Sequence, residues 1–223
     1  MDAAQISALR EPRHTVVRPI LVIIPVAALL ATAFFVGVAL PYLVLDPKVL
    51  ARYGSRGGWV LVHIAAGTVA LLTGPVQLWL GVSRRAMRVH RRLGLAYVTS
   101  VGISSVAAFY LATHTSLGWV FGFGITGLGI AWLVTTTLAV AAIRRGFIQQ
   151  HREWMIRSYV VTFAFVTFRA LWSALQVAGI GTQHEQLAAS SWFCWAVPLL
   201  VVEAVLQGRK IFGKRELGAE ALG

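Results

Sequence analysis

The sequence predicts an all-α, polytopic helical membrane protein of about six transmembrane helices, with a central four-helix bundle made of two similar helical hairpins. Composition is the first observation behind this: 57% of the 223 residues are hydrophobic and 13% charged, at a mean hydropathy of +0.73. A soluble core of this size does not need so much apolar surface. The second is length. Apolar runs of roughly 18–25 residues recur along the chain, and a run of that length crosses the hydrocarbon layer as a helix. The third is an internal echo between two basic segments, Arg84–Arg92 and Arg144–Glu153, each of which follows one apolar run and opens the next with a His-Arg pair.

Residues 1–18 are polar and basic and read as a tail. The first span, Pro19 to Leu40, has no ionisable residue, and Pro25 lies in its first turns, where a missing amide costs little. Its apolar run is longer than the core of a signal peptide, so it reads as an uncleaved span. Residues 41–58 form the longest connection, with Asp46-Pro47 and Gly57-Gly58 as turn chemistry. The second span runs from Trp59 to Val82 and carries His63 and Gln77. The third runs from Leu93 to Thr113, and the turn His114–Gly118 leads to the fourth, Trp119 to Ile143. Gly122, Gly124, Gly127 and Gly129 open that fourth span and allow helix backbones to approach closely. The fifth span is expected over Tyr159–Ala178, with helix geometry beginning near His151. A loop from Gly179 to Ser190 leads to the sixth, Ser191 to Leu206, which contains Glu203. The chain thus divides into a basic tail (1–18), one membrane domain (19–207, four-helix core about 59–178) and a second basic tail (208–223).

Charge sets the expected orientation. Of the 20 Arg and Lys, 16 fall in the two tails and the two basic segments with the Arg157 that follows the second, three (Lys48, Arg52, Arg56) in the opposite connections, and Arg169 within a span. This bias places both termini in the cytoplasm of a bacterial cell membrane. The net charge of +12 then reads as a basic rim facing anionic lipid and not as a nucleic-acid surface. Cys194 is the single cysteine, which excludes an internal disulfide and a cysteine-based metal site.

The echo between the basic segments carries the first functional expectation. Shifting the chain by 61 residues places His151 on His90, as if two hairpins of equal orientation were related by an axis along the membrane normal. Both histidines then sit at the mouths of equivalent helices. Two neutral imidazoles on facing helices form an axial pair for haem iron, and Arg91, Arg92 and Arg152 would pair with propionates. The alternative is that both are polar residues at headgroup level. A second expectation is a pocket nearer the other face. Arg169 lies about 18 Å along the helix from Arg157 and should face the interior or a polar partner, the alternative being that it snorkels to the headgroups of that face. His63 lies at a similar depth, so His63 and Arg169 are candidates for one pocket that holds an anion or a quinone-like oxygen. Glu203 calls for neutralisation by Arg157 or His151, and the Trp132 indole for an acceptor. No phosphate-binding glycine loop, zinc-protease helix or nucleophile elbow occurs.

Several of these residues resemble a bacterial family of predicted membrane proteins, domain of unknown function 2306. The resemblance rests on His63 with Gly67, Gly74-Pro75-Val76-Gln77, and His90-Arg91-Arg92-Leu93-Gly94 with Tyr97. It continues through Trp132, Thr135-Thr136, the run His151-Arg152-Glu153-Trp154-Met155-Ile156-Arg157-Ser158, and Thr167-Phe168-Arg169. It covers about residues 59–172 and implies a set of polar positions without an activity. A more distant likeness to ascorbate-dependent transmembrane b-type cytochromes implies His90 and His151 as an inner haem pair. The outer pair is missing there: the position equivalent to His63 is Gly124, and only His114 lies near. Three readings follow: haem-based electron transfer at His90 and His151, binding or transport of an anionic lipid or small solute at His63 and Arg169, and a subunit of an oligomer or larger membrane complex.

Overall fold

In a computed structural model of the chain, residues 17–47 and 51–212 are described. Most of the tail 1–18, the end of the tail 208–223 with Lys214 and Arg215, and Lys48 lie outside them. Among the described residues every regular element is helical. The first span is α1 (Val17–Phe34), prolonged by a π turn (Phe35–Ala39) and a final turn (Leu40–Leu43). The wide turn precedes Pro41, which has no amide to return to the carbonyl of Gly37. A 3₁₀ segment (Ala51–Arg56) leads into α2 (Gly57–Ser83), followed by α3 (Met87–Thr113), α4 (Trp119–Arg144), α5 (Ile148–Thr162), α6 (Ala164–Ala178) and α7 (Gln183–Phe212). Five helices are individually long and apolar enough to cross a membrane, and α5 with α6, taken together as one bent span, makes up to six. In lipid, closed helical hydrogen bonding is what such apolar segments require.

Helices α2, α3, α4 and α5 pack in a closed ring, each against the next and α5 back against α2. This is the expected four-helix core of two hairpins. Helix α1 lies against α2, and α7 against α4, α5 and α6.

Three boundaries differ from expectation. The fifth span is not one rod: α5 and α6 meet at 41° across Phe163. Neither proline nor glycine stands there. At the junction the Val166 amide turns to the Phe163 carbonyl at 2.9 Å, a tightened turn, and beside it Thr162 donates its hydroxyl back to the Ser158 carbonyl at 2.9 Å. Second, the basic segments are mostly helix. Only Arg84–Ala86 and Arg145–Phe147 are turns, so His90 lies in the first turns of α3. Arg84 and Ala86 adopt φ of 53° and 47°, where the second turn has Gly146 at 79°. Third, the sixth span starts at Gln183 rather than Ser191. Thr182 and Glu185 form a capping box, the Thr182 amide donating to Glu185 at 2.7 Å and the Glu185 amide to the Thr182 hydroxyl at 3.4 Å. The helix also continues to Phe212 and so carries Arg209 and Lys210.

Packing between spans uses small residues and hydroxyls. A methyl group at Gly124 would overlap Ser191 of α7, and one at Gly129 would meet Phe109 of α3 at 2.6 Å. The glycines of α4 are therefore spent on contacts within the chain. At the bundle centre Tyr97, Trp132, Thr136, Ser158 and Thr162 share one buried network. Because Thr162 donates to a carbonyl, it must accept from the Trp132 indole (2.8 Å) and the Tyr97 hydroxyl (2.6 Å). Tyr97 in turn accepts from Ser158 (2.8 Å), and Ser158 from Thr136 (2.7 Å). Every donor has one assignment, and three helices are tied together.

Of the three prolines in the interiors of described helices, Pro25, Pro75 and Pro198, the last two receive matching treatment. Pro75 deprives the Leu71 carbonyl of its helical donor, and the Tyr159 hydroxyl donates to that carbonyl at 3.3 Å. Pro198 does the same to the Cys194 carbonyl, and Thr167 donates to it at 2.7 Å. Both donors come from the fifth span. Gly74 completes the first arrangement, since any Cβ there would overlap the Tyr159 ring.

Candidate functional site

The bend at Phe163 turns α6 away from the ring, toward α7 and α1. The half of the bundle remote from the basic segments is thereby splayed. A cavity of about 270 Å³ fills the gap, walled by α2, α4 and α6, by Ala108 and Leu111 of α3, by Val161 of α5 and by Cys194 of α7, with Phe34, Val38 and Tyr42 of the first span along one side. Its walls are predominantly apolar, and aromatic side chains are prominent. Phe165 packs edge-on against Trp132 at 5.6 Å, and Phe121 against Phe168 at 6.3 Å. Gly67 lets the Phe165 ring approach α2, since a Cβ there would stand 3.0 Å from it.

His63 and Arg169 both line this cavity. The His63 Nδ1 lies 3.0 Å from the Ser104 carbonyl and 3.0 Å from the Ser104 hydroxyl, whose own proton goes to the His63 carbonyl at 3.0 Å. A carbonyl oxygen and a committed hydroxyl are both acceptors here, so Nδ1 carries the proton. Nε2 has no hydrogen-bond partner among the described residues and is not enclosed, which leaves it open to the cavity. In the neutral ring it is a lone-pair acceptor. Arg169 has no carboxylate partner among the described residues; its guanidinium lies 5.7 Å from the Trp172 ring centre. It also stands near enough to Tyr53 to act on that phenol electrostatically, and Tyr53 and Tyr42 share a 3.2 Å hydrogen bond on the same wall. The cavity thus offers an acceptor on α2 and a cationic donor on α6, separated by apolar surface.

At the basic end, His151 donates from Nδ1 to the Ala139 carbonyl at 2.9 Å, and Gln77 donates to the His90 carbonyl at 2.8 Å. Each histidine is seated against the neighbouring helix of its own hairpin, and the two rings are close enough for their charges to interact. Their surroundings differ. The His151 contact frees Nε2, whereas His90 has a buried Nδ1 without a partner, and its Cε1 edge lies 3.5 Å from a Cβ built on Gly81. Arg91 and Arg152 are exposed. His114 stacks on Tyr110 at 4.2 Å and donates from Nδ1 to the Tyr110 carbonyl (2.8 Å), so it does not join His63.

Residues 60–206 match the family described as Predicted membrane protein (DUF2306). The chain belongs to this family. The DUF2306 match runs from α2 through most of α7 and so includes the sixth span as well as the four-helix core. The DUF2306 cavity also draws on Phe34, Val38 and Tyr42, which lie before the matched region. No curated protein and no solved structure matches the chain.

One polar cluster of this DUF2306 protein contains the expected Arg157–Glu203 pair and adds Glu153, Gln207 and Lys210 to it. Arg157, buried on α5, donates from Nε to Glu203 at 2.7 Å and lies 4.6 Å over the Trp154 ring. Glu153 accepts from Lys210 at 2.6 Å, and Gln207 donates to Glu203 at 2.6 Å. The cluster neutralises Glu203 and fastens α7 to α5. Tyr42, Tyr53 and Thr68 of the cavity were not singled out from sequence. Tyr42 and Tyr53 flank a connection whose path hydropathy does not describe.

Proposed function

We propose that this protein binds a small amphiphilic ligand in the cavity between α2, α4 and α6, without itself performing catalysis. The observation that carries this is Arg169: a guanidinium with no carboxylate partner among the described residues, set in the wall of an apolar cavity. A cation at membrane depth is costly unless it serves a polar partner, and a mostly apolar concavity with few convergent polar groups is the usual form of a ligand site. The apolar walls would take the ligand's body and Arg169 an anionic or carbonyl oxygen of its head. The charge bias supports an orientation with the basic end in the cytoplasm, which puts the cavity in the outer half of the membrane.

The test is extraction of bound small molecules from the protein purified in detergent, followed by mass spectrometry. Wild type should release a species that Arg169→Ala lacks, with both variants equally folded by thermal melting. Equal occupancy in the two would overturn the proposal.

The haem reading asks both imidazoles to present a nitrogen to one iron. His151, with Nδ1 committed to the Ala139 carbonyl, keeps Nε2 for that, while His90 has a buried Nδ1 without a partner. More observations support the cavity, which is lined by both His63 and Arg169, so it is the preferred site. An absorbance spectrum of the dithionite-reduced protein checks this: a b-type Soret band lost in His90→Ala would reverse the preference.

A further inference from the structure

Resting on the cavity reading above, the geometry points to a ligand head of the hydroquinone class: an aromatic ring with a hydroxyl that donates to His63 Nε2 and a second oxygen that accepts from Arg169. The two polar groups of the cavity have opposite hydrogen-bonding character. The Ser104 carbonyl and hydroxyl hold the proton of His63 on Nδ1, so Nε2 asks for a donor. Arg169 can only donate. A carboxylate or phosphodiester head has only acceptors, so it satisfies Arg169 and leaves His63 without a donor. A ring bearing two oxygens, one of them protonated, satisfies both.

The walls fit the same class. Trp132, Phe165, Phe168 and Phe121 present edges and faces to the space, and aromatic rings pack well in offset or edge-on contact with a planar guest. At about 270 Å³ the space suits a ring with part of a tail, at the lower end of the size of ligand pockets. The chain of an amphiphilic hydroquinone would leave between α1 and α6, which touch only lightly.

The deciding measurement is the rise in melting temperature of the detergent-purified full chain with decylubiquinol, decylubiquinone or laurate, titrated under argon. A ligand that binds only the folded state raises that temperature by an amount that grows with the logarithm of its concentration over its Kd. Decylubiquinol should bind about ten-fold more tightly than decylubiquinone, because only the reduced ring donates to His63, the difference expected of roughly one unmatched buried polar group. His63→Phe should erase the preference while leaving decylubiquinone binding unchanged, and His63→Gln, whose amide oxygen can accept, should restore part of it. Arg169→Ala should weaken both. If laurate stabilises the protein and neither quinone form does, the head class is wrong and the cavity proposal stands. If none of the three stabilises it, both fall. Equal binding of the reduced and oxidised forms in wild type, or a preference that survives His63→Phe, also overturns the assignment to His63.

Discussion

Replacing Thr167 with valine removes one hydroxyl and almost no volume, and its effect should depend on a proline in another helix. In the native chain Thr167 donates at 2.7 Å to the Cys194 carbonyl, which Pro198 has left without a helical donor. Hydrogen bonds between membrane helices contribute about 0.6 kcal/mol on average and up to about 1.7 kcal/mol. A buried carbonyl left wholly unsatisfied costs about 1–3 kcal/mol. Thr167→Val should therefore destabilise by about 1–2 kcal/mol, which for a chain of this length lowers the melting temperature by about 2–8 °C. Pro198→Ala restores an amide to the Cys194 carbonyl. In that background Thr167→Val should lose most of its effect, leaving a coupling of at least about 0.5 kcal/mol between the two sites. The assay is thermal unfolding of the four proteins in one detergent, followed by intrinsic tryptophan fluorescence. An equal drop in both backgrounds would refute the idea that the hydroxyl serves the carbonyl freed by proline.

Tyr97→Phe should lower stability by about 1–3 kcal/mol, because Ser158 loses its acceptor at the centre of the network; a melting temperature within a degree of wild type counts against the assigned donor order. Gly74→Ala should reduce the yield of folded protein sharply, since its methyl group would overlap the Tyr159 ring, and Tyr159→Ala in the same chain should recover part of that yield, as size-exclusion profiles would register. Glu203→Gln should loosen α7 from α5 by about 1–2 kcal/mol, less than for a fully enclosed pair because the Glu203 side chain is 41% exposed; unfolding by SDS titration measures it. Ala86→Gly should stabilise by about 1 kcal/mol, because Ala86 holds a left-handed conformation at φ 47°; an unchanged midpoint in the same titration argues that the turn bears no strain.

Span number, the four-helix core and the pairing of hairpins were legible in hydropathy, because lipid leaves a long apolar segment few alternatives to a helix. Counting along the helices also set His63 and Arg169 at one level, and both line the same cavity. The bend at Phe163 was not legible. The Thr162 back-bond beside it recurs at Thr73, Thr99 and Thr135 in the continuous helices α2, α3 and α4, so a threonine at the bend reads identically to one elsewhere in a one-dimensional pattern. The cavity follows from the bend, so its volume and its tyrosines were hidden with it. The early start of α7 had a local signal in Thr182 and Glu185, three residues apart ahead of an apolar run, but the polar residues between them outweighed it. The proline-to-hydroxyl matches had half a signal: Pro75 and Pro198 mark which carbonyls are vacant, and only the three-dimensional packing says which side chains answer.

Those matches also impose an order in time. The Leu71 carbonyl is completed by Tyr159, 88 positions later in the chain. At a synthesis rate of about 5–20 residues per second, the second span waits roughly 4–18 s for its partner to be made. During that interval a vacant acceptor sits in a newly inserted helix, where hydrocarbon offers it nothing. At about 1–3 kcal/mol for one unmatched acceptor, the second span alone is a poorer membrane helix than it becomes once Tyr159 arrives.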